Sequence, residues 1–518
     1  MTSRGRRVLA VAGGVIGGIA LVIVLAIVVL TRTDWGRERI RAFGVEQLAS
    51  QVAGRVSIGE LSGNLLQGAT IADIEIADSS GAPFLRADTV ALRYSLRSFL
   101  SKHLVFSDVR LINPTIVLDR PPGGEWNFVR LFPQDTTVQP DTLPGFGSWV
   151  RFEDVTVRNG TVVLRTAWSP ADSLSGAARE HAIEEARSAQ SRPWIVPVQG
   201  GYQMLSFFYE VDARLPLIRI ADPDSAARVV EVASLAAIAY PFRPPPAHIR
   251  ELSGRFVITD DSLHFDDLHL VLPGTRASGR GAYALEDGGV HATVRAGPFA
   301  FDDVRWVLPS LPDGGGEIVA HVERAGGVLR VAAERLDLSA GGATVAGHAN
   351  VRLGDTLRIG DTELVFANVD PRLIERLAPG TSLPVSGRAR GRIALDGVAS
   401  ALRVDGWAEF RASDGATSRI VAEGEIGTGD AFRAESLRLQ LDPLRLELIR
   451  SFAPDLTLTG LVHGDATVTG STATRFRLVA DLVHVDPRAG RSRVLAEGAV
   501  IAAGDGVAAR DLRLRLDP

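Results

Sequence analysis

The chain has 518 residues, 46% hydrophobic and 23% charged, with a formal net charge of −5. That length exceeds one ordinary core, the composition is globular rather than disordered, and the charge balance offers no basic field to draw in nucleic acid. The sequence has no cysteine, which excludes disulfides and thiolate chemistry.

Residues 1–7 carry Arg4, Arg6 and Arg7 and read as a cytoplasmic tip. Residues 8–30, from Val8 to Leu30, hold no charged side chain. As a helix this segment would be roughly 35 Å long, against a bilayer core of about 30 Å. Leu30-Thr31-Arg32-Thr33 lacks the small-x-small pattern of a cleavage site. The segment is therefore expected to be an uncleaved transmembrane anchor with the bulk of the chain beyond it.

Residues 31–132 form the next region. Asp34 to Ser50 predicts a helix, and the rest is strand and turn. Between Thr89 and Arg97, Val90, Leu92, Tyr94 and Leu96 alternate with Ala91, Arg93, Ser95 and Arg97. Period two means a strand with one apolar side. Residues 133–148, rich in Pro, Thr, Asp and Gly, read as a linker. Residues 149–297 form a second β region with a polar helical insertion at about 171–191. Within it, Asn159-Gly160 between Val155/Val157 and Val162/Leu164 predicts a two-residue hairpin. Leu268, Leu270 and Leu272 repeat the one-sided pattern, as do Leu437, Leu439 and Leu441, and then Leu512, Leu514 and Leu516. Asp287-Gly288-Gly289 and Ala325-Gly326-Gly327 predict further hairpins.

Residues 298–518 repeat internally. Glu435 to Pro443 returns as Arg510 to Pro518, and Gly387, Gly391 and Gly397 match Gly460, Gly464 and Gly470 at a spacing of 73. A fixed period with matching turn residues indicates stacked supersecondary units. Short helices are expected near 304–308, 371–378 and 443–453. The last unit is incomplete, which points to a fragment of a longer chain.

Chemistry-bearing motifs are few. His264 and His269 have metal-ligand side chains, but in a regular strand they point to opposite faces. His181 with Glu184 and Glu185 reads as a solvated helix face, and Asp260-Asp261 and Asp302-Asp303 as turn or cap residues. No phosphate-binding glycine loop, HExxH or nucleophile elbow occurs in the sequence. No catalytic residue, metal site or cofactor is expected, and the chain reads as a non-enzyme. The few helices cannot cover this much one-sided sheet. Either the sheet curls and fills itself with its own side chains, or it stays open and something else occupies it.

Gly63-Asn64-Leu65-Leu66-Gln67-Gly68-Ala69-Thr70-Ile71, Ile74-Glu75-Ile76, Asp88-Thr89-Val90-Ala91-Leu92, Val109 to Leu118, and Gly124-Glu125-Trp126-Asn127-Phe128 follow one another behind the anchor. That order resembles the start of the AsmA-like proteins, above all the TamB branch, the inner-membrane subunit of the translocation and assembly module. Leu383 to Gly397 resembles the glycine-punctuated strands of the same family. The resemblance implies a mainly β fold: an N-terminal transmembrane helix, then an elongated, curled, antiparallel-rich sheet forming a groove, as in bridge-like lipid transfer proteins. It implies a single-pass protein of the bacterial inner membrane with its bulk in the periplasm, moving phospholipids toward the outer membrane. The alternative it carries is an assembly factor or chaperone for outer-membrane proteins. TamB meets an outer-membrane barrel partner through a C-terminal domain that this sequence lacks, and the helical insertion also departs from the family pattern. On this reading the groove is lined by Val90, Leu92, Tyr94, Leu96, Leu268, Leu270, Leu272, Leu437, Leu439, Leu441, Leu512, Leu514 and Leu516.

Overall fold

A computed structural model describes residues 38, 39, 42, 54–131 and 149–517, except for 65–66, 79–80, 96–97, 99–100, 102, 171–173, 189–193, 242–244, 260, 286–287, 355, 378–384, 428–432, 451–458, 473–474, 489 and 504–505. The expected anchor at 8–30, the linker at 133–148, Leu96 and nearly all of the 34–50 helix lie outside the described residues. Among the described residues, no helix is long and apolar enough to cross a membrane. The described chain is mainly β with a few short helices. It divides into two units, residues 1–260 and 261–518.

The first unit contains β1 (Gly54–Ile58), β2 (Leu61–Ser62), β3 (Gly68–Asp78), β4 (Pro83–Tyr94), β5 (Leu104–Ile112), β6 (Thr115–Asp119) and helix α1 (Asn127–Leu131). Then come β7 (Val150–Trp168), α2 (Gly176–Ser188), β8 (Ile195–Val198), β9 (Gly201–Ala221), β10 (Arg228–Tyr240) and β11 (Ala247–Ile258). β3 pairs with β1, β2 and β4, and β4 pairs with β5 and β6, all antiparallel. β5 and β6 run parallel to β7. From β7 onward the order is antiparallel through β9, β10 and β11. This unit has a filled core. Val56, Ile58, Ile74, Ala87 and Val90 are buried together with Leu131 of α1, and Leu131 is fully covered at 0% exposure. Asn127 fixes the helix: its Nδ2 donates to the Val117 carbonyl at 2.6 Å and its Oδ1 accepts from the Asp119 amide at 3.0 Å. Arg130 latches the other side, 3.3 Å from the buried Asp78 carboxylate.

The expected hairpin at Asn159-Gly160 does not form. β7 runs straight through those residues, which instead sit at a register shift against β9. Asn159 takes a left-handed backbone at φ 51°, which Asn tolerates and a bulge uses. Its amide donates to Asp212 at 3.0 Å, and its Nδ2 donates to Asn113 at 2.8 Å. Those partners hold the strand through a turn-like dipeptide. The expected insertion does contain a helix, α2.

The second unit contains β12 (Ser262–Val271), β13 (Arg276–Ala284), β14 (Val290–Ala300), β15 (Gly314–Ala325), β16 (Val328–Ala340), β17 (Ala343–Leu353) and β18 (Leu357–Val369). It continues with β19 (Gly387–Val398), β20 (Ala401–Ala412), β21 (Thr417–Gly427), β22 (Arg433–Arg445), β23 (Leu461–Ser471), β24 (Phe476–Asp486), β25 (Gly490–Ala503) and β26 (Gly506–Asp517). Each strand from β12 on pairs antiparallel with the next, so the sheet is a meander. β15, β19 and β23 begin at residues 314, 387 and 461, a spacing of four strands near the sequence period. A short helical piece follows every fourth strand: a 3-10 turn (Phe301–Val304) after β14, α3 (Pro371–Leu377) after β18, and α4 (Leu446–Arg450) after β22. The Gly326-Gly327 hairpin forms with both residues at positive φ, 54° and 78°, the backbone that a tight two-residue turn demands.

Candidate functional site

Strand register places the apolar residues of the second unit in rows that cross the sheet. One row joins Leu270, Ala277, Ala296, Ile318, Leu336, Gly347, Leu364, Ile393, Gly406, Ala422, Leu439, Ala466, Ala480, Ala496 and Leu514, one residue from each strand from β12 to β26. No polar side chain interrupts it. At about 4.8 Å per strand this row follows the sheet for roughly 65–70 Å. The row beside it runs from Phe299 through Leu338, Phe366, Ile420 and Leu441 to Leu482 and Leu516 and is equally apolar. On the other flank, Leu268 and Leu437 lie in rows whose members are apolar apart from the buried Thr362.

Bulges keep these rows in phase. Between Phe265 and Leu268, β12 carries one more residue than β13, so Leu263, Phe265, Leu268 and Leu270 share a side. Comparable shifts occur at Ala333/Leu336, Ile359/Thr362, Phe366/Val369 and Ala434/Leu437. Asp267, Asp361, Asn368 and Ser436 sit at or beside such shifts with positive φ, in line with the tolerance of short polar residues for that backbone. The same bulge overturns the expectation for His264 and His269. The extra residue brings both onto the polar side, opposite Ala282 and Ser278. Among the described residues no group of three or more His, Asp or Glu is arranged to hold a metal.

Burial distinguishes the core of the first unit from the apolar rows of the second. In the first, large side chains vanish from solvent: Leu131 at 0% exposure, Ile195 at 1% and Val229 at 2%. In the apolar rows of the second, only small residues do so, among them Ala466, Ala480 and Ala496. Leu336, Leu364, Ile393, Leu439, Leu441, Leu478 and Leu482 remain half-buried. The larger side chains shield the alanines beside them, as Leu439, Leu478 and Leu482 do around Ala466, Ala480 and Ala496, but do not close over one another. Aromatic rings cover two of the glycines: a Cβ on Gly391 would lie 2.7 Å from Cζ of Phe366, and one on Gly281 2.7 Å from Cζ of Phe265.

The expected lining residues divide accordingly. Leu268 and Leu270 are half-buried on the apolar side of β12, and Leu272 is buried where that strand ends. Leu437, Leu439 and Leu441 occupy adjacent apolar rows on β22. Leu514 and Leu516 take register positions opposite Ala496 and Val494, on the strand that also holds Leu512. Val90 and Leu92 are corrected: Val90 is buried beside Leu131 and Leu92 packs on the same cluster, so these two belong to a filled core. Tyr94 is half-buried, and burial pushes its hydroxyl pKa up. Leu336, Leu364, Ile393 and Phe366 escaped the sequence reading because bulges and interposed Gly and Ala break strict alternation around them.

The opposite side of the sheet is charged. Arg392 forks onto Glu363 at 2.8 and 3.0 Å, Arg390 onto Glu409 at 3.0 and 2.7 Å, and Arg493 onto Asp481 at 2.9 and 2.6 Å. Arg445 reaches Asp414 at 2.6 Å. These hydrogen bonds hold the carboxyls of Glu363, Glu409, Asp414 and Asp481 below their ordinary range. The sheet of the second unit thus has one wet side and one dry side. Compared with family models, with curated proteins and with solved structures, the chain finds no match in any of the three.

Proposed function

We propose that this chain is a membrane-tethered conduit that shelters phospholipid acyl chains on an apolar sheet face, in the manner of the AsmA-like and TamB proteins that its N-terminal motifs resemble. The observation that carries the reading is the unbroken row from Leu270 to Leu514, none of whose large described members is fully covered. Each CH₂ gains about 0.8 kcal/mol on leaving water, so a lipid crossing an aqueous gap alone faces a steep barrier. A continuous dry strip lowers that barrier all along its length. Contacts with such a strip are non-directional, so a chain can slide without meeting one tight site. On this reading residues 8–30 hold the protein in the bacterial inner membrane, the bulk stands in the periplasm, and the cargo moves toward the outer membrane.

Photo-crosslinking in cells tests this. A photoreactive phenylalanine analogue at Leu439 or Leu364 should capture phospholipid. The same group at Val479, 45% exposed on the charged side, should not. Equal capture at all three positions, or none at Leu439 and Leu364, rejects the proposal. Capture of nascent barrel proteins at Leu439 in place of lipid would favour the assembly-factor alternative.

A further inference from the structure

The charged side of the second unit holds a feature that the apolar side does not explain. A depression of about 580 Å³ between β12 and β16 is lined by His269, Arg276, Ser278, Arg295, Glu317 and Arg335. Register aligns His269, Ser278, Arg295, Val319 and Arg335 in one row across five strands, and Arg276 stands two residues before Ser278 on the same side. The Cα atoms of Arg295 and Arg335, two strands apart, are about 10 Å from each other. All three arginines are exposed, and none makes an ion pair within the described residues. Farther along the sheet the alternative is plain: Arg390, Arg392 and Arg493 each fork onto a carboxylate. Here the only carboxylate on the lining is Glu317, with Asp337 opposite it on β16. Three positive charges thus line the depression against one lining carboxylate, a net positive surface that an anion would neutralise.

We propose that this depression binds a phosphate group. Three arginines from three strands line it, with an imidazole and a hydroxyl at one end of the row. A tetrahedral oxyanion can accept from several such donors at once, and guanidinium geometry suits it. The phosphate can be free or part of a lipid head group. The inference does not depend on what occupies the apolar side.

The test uses the full chain in detergent, with inorganic phosphate and, separately, dihexanoyl phosphatidylglycerol below its micelle concentration, followed by ³¹P line broadening. Arg295→Gln and Arg335→Gln should each weaken binding about tenfold, as for loss of a charge-assisted hydrogen bond. Arg477→Gln, which removes a pair with Glu497 on the same side, should leave it unchanged. Arg295→Lys, which keeps the charge and loses the fork, should fall between. Saturable binding of inorganic phosphate, weakened in the Arg295 and Arg335 variants, assigns the site to the free anion. Binding of the lipid alone, lost in the Arg295 and Arg335 variants, assigns it to a head group. The proposal is overturned if neither probe saturates, if Arg477→Gln weakens binding equally, if the binding of either probe ignores both Arg295→Gln and Arg335→Gln, or if a glutamate decapeptide displaces both probes.

Discussion

Replacing Leu439 by Arg separates an open apolar side from a sealed one. Leu439 sits mid-row between Ala422 and Ala466 and packs on the buried alanines of β23 to β25. Full burial of a leucine is worth about 1.5–3 kcal/mol. Leu439 is mostly but not fully buried, so its own share is roughly 1–2.5 kcal/mol. If the side is open, the arginine stem can lie along the alanine trough while the guanidinium reaches water. The net cost then stays near that share. A unit of this size should unfold in urea with a slope of about 3 kcal/mol per molar, so the midpoint should fall by roughly 0.3–0.8 M. If the chain itself sealed the side, an unpaired guanidinium would be trapped out of water at a cost of several kcal/mol. Far-UV circular dichroism of the full chain in urea, with hydrogen exchange on β22 and β23, reads the difference. A midpoint drop beyond about 1.5 M, or failure to fold, would refute the open-side reasoning.

Leu131→Ala should show the opposite behaviour, since this side chain is fully covered in the first unit: a loss of about 3 kcal/mol, seen as faster exchange in β1, β3 and β4 and not in β22. Gly391→Val should cost about 1–3 kcal/mol by overpacking, because a Cβ there would clash with the Trp407 carbonyl oxygen; unchanged exchange in β18 to β20 would contradict the packing. Glu363, Glu409, Asp414 and Asp481 are held below their ordinary range by arginine partners, so the unfolded chain takes up protons first as pH falls. Their contribution should therefore be intact at neutral pH and drain away below about pH 4, as pH passes through the lowered folded values. Thermal melting against pH should show that decline, reduced by salt, and Arg493→Gln should remove the part due to Asp481.

The periodic parts of the fold were legible in the sequence. Alternation in Leu437-x-Leu439-x-Leu441 fixed the dry side of β22, and Ala325-Gly326-Gly327 fixed a hairpin, because each depends only on neighbours along the chain. Three readings failed where distant partners decide. Asn159-Gly160 has turn chemistry, yet Asp212 and Asn113 hold it inside a strand. His264 and His269 change sides because β12 gains a residue against β13, a property of the pairing that alternation cannot report. Val90 alternates as Leu439 does, but α1, more than thirty residues on, delivers Leu131 to cover it.

Those bulges bear on why the apolar side persists. In a strand, one added residue sends every later side chain to the other face. Across β12, β16, β18 and β22 the inserted residue instead falls where the sequence itself skips a beat, as at Asp266-Asp267 and Glu334-Arg335, so that Leu270 and Leu336 return to the side of Phe265 and Ala333. Insertion and sequence pattern compensate each other strand after strand. Chance slippage would mix the sides, and a core meant only to fill itself would place large residues from a second layer over the leucines. Here the residues fully covered along the row are alanines, shielded by neighbours on the same sheet. Side chains standing on one surface can shelter the short ones between them but cannot cover their own tips. The incompletely covered leucines therefore leave some demand for apolar contact that this unit's sheet does not meet. The proposed acyl chains would meet it without needing a second layer of protein.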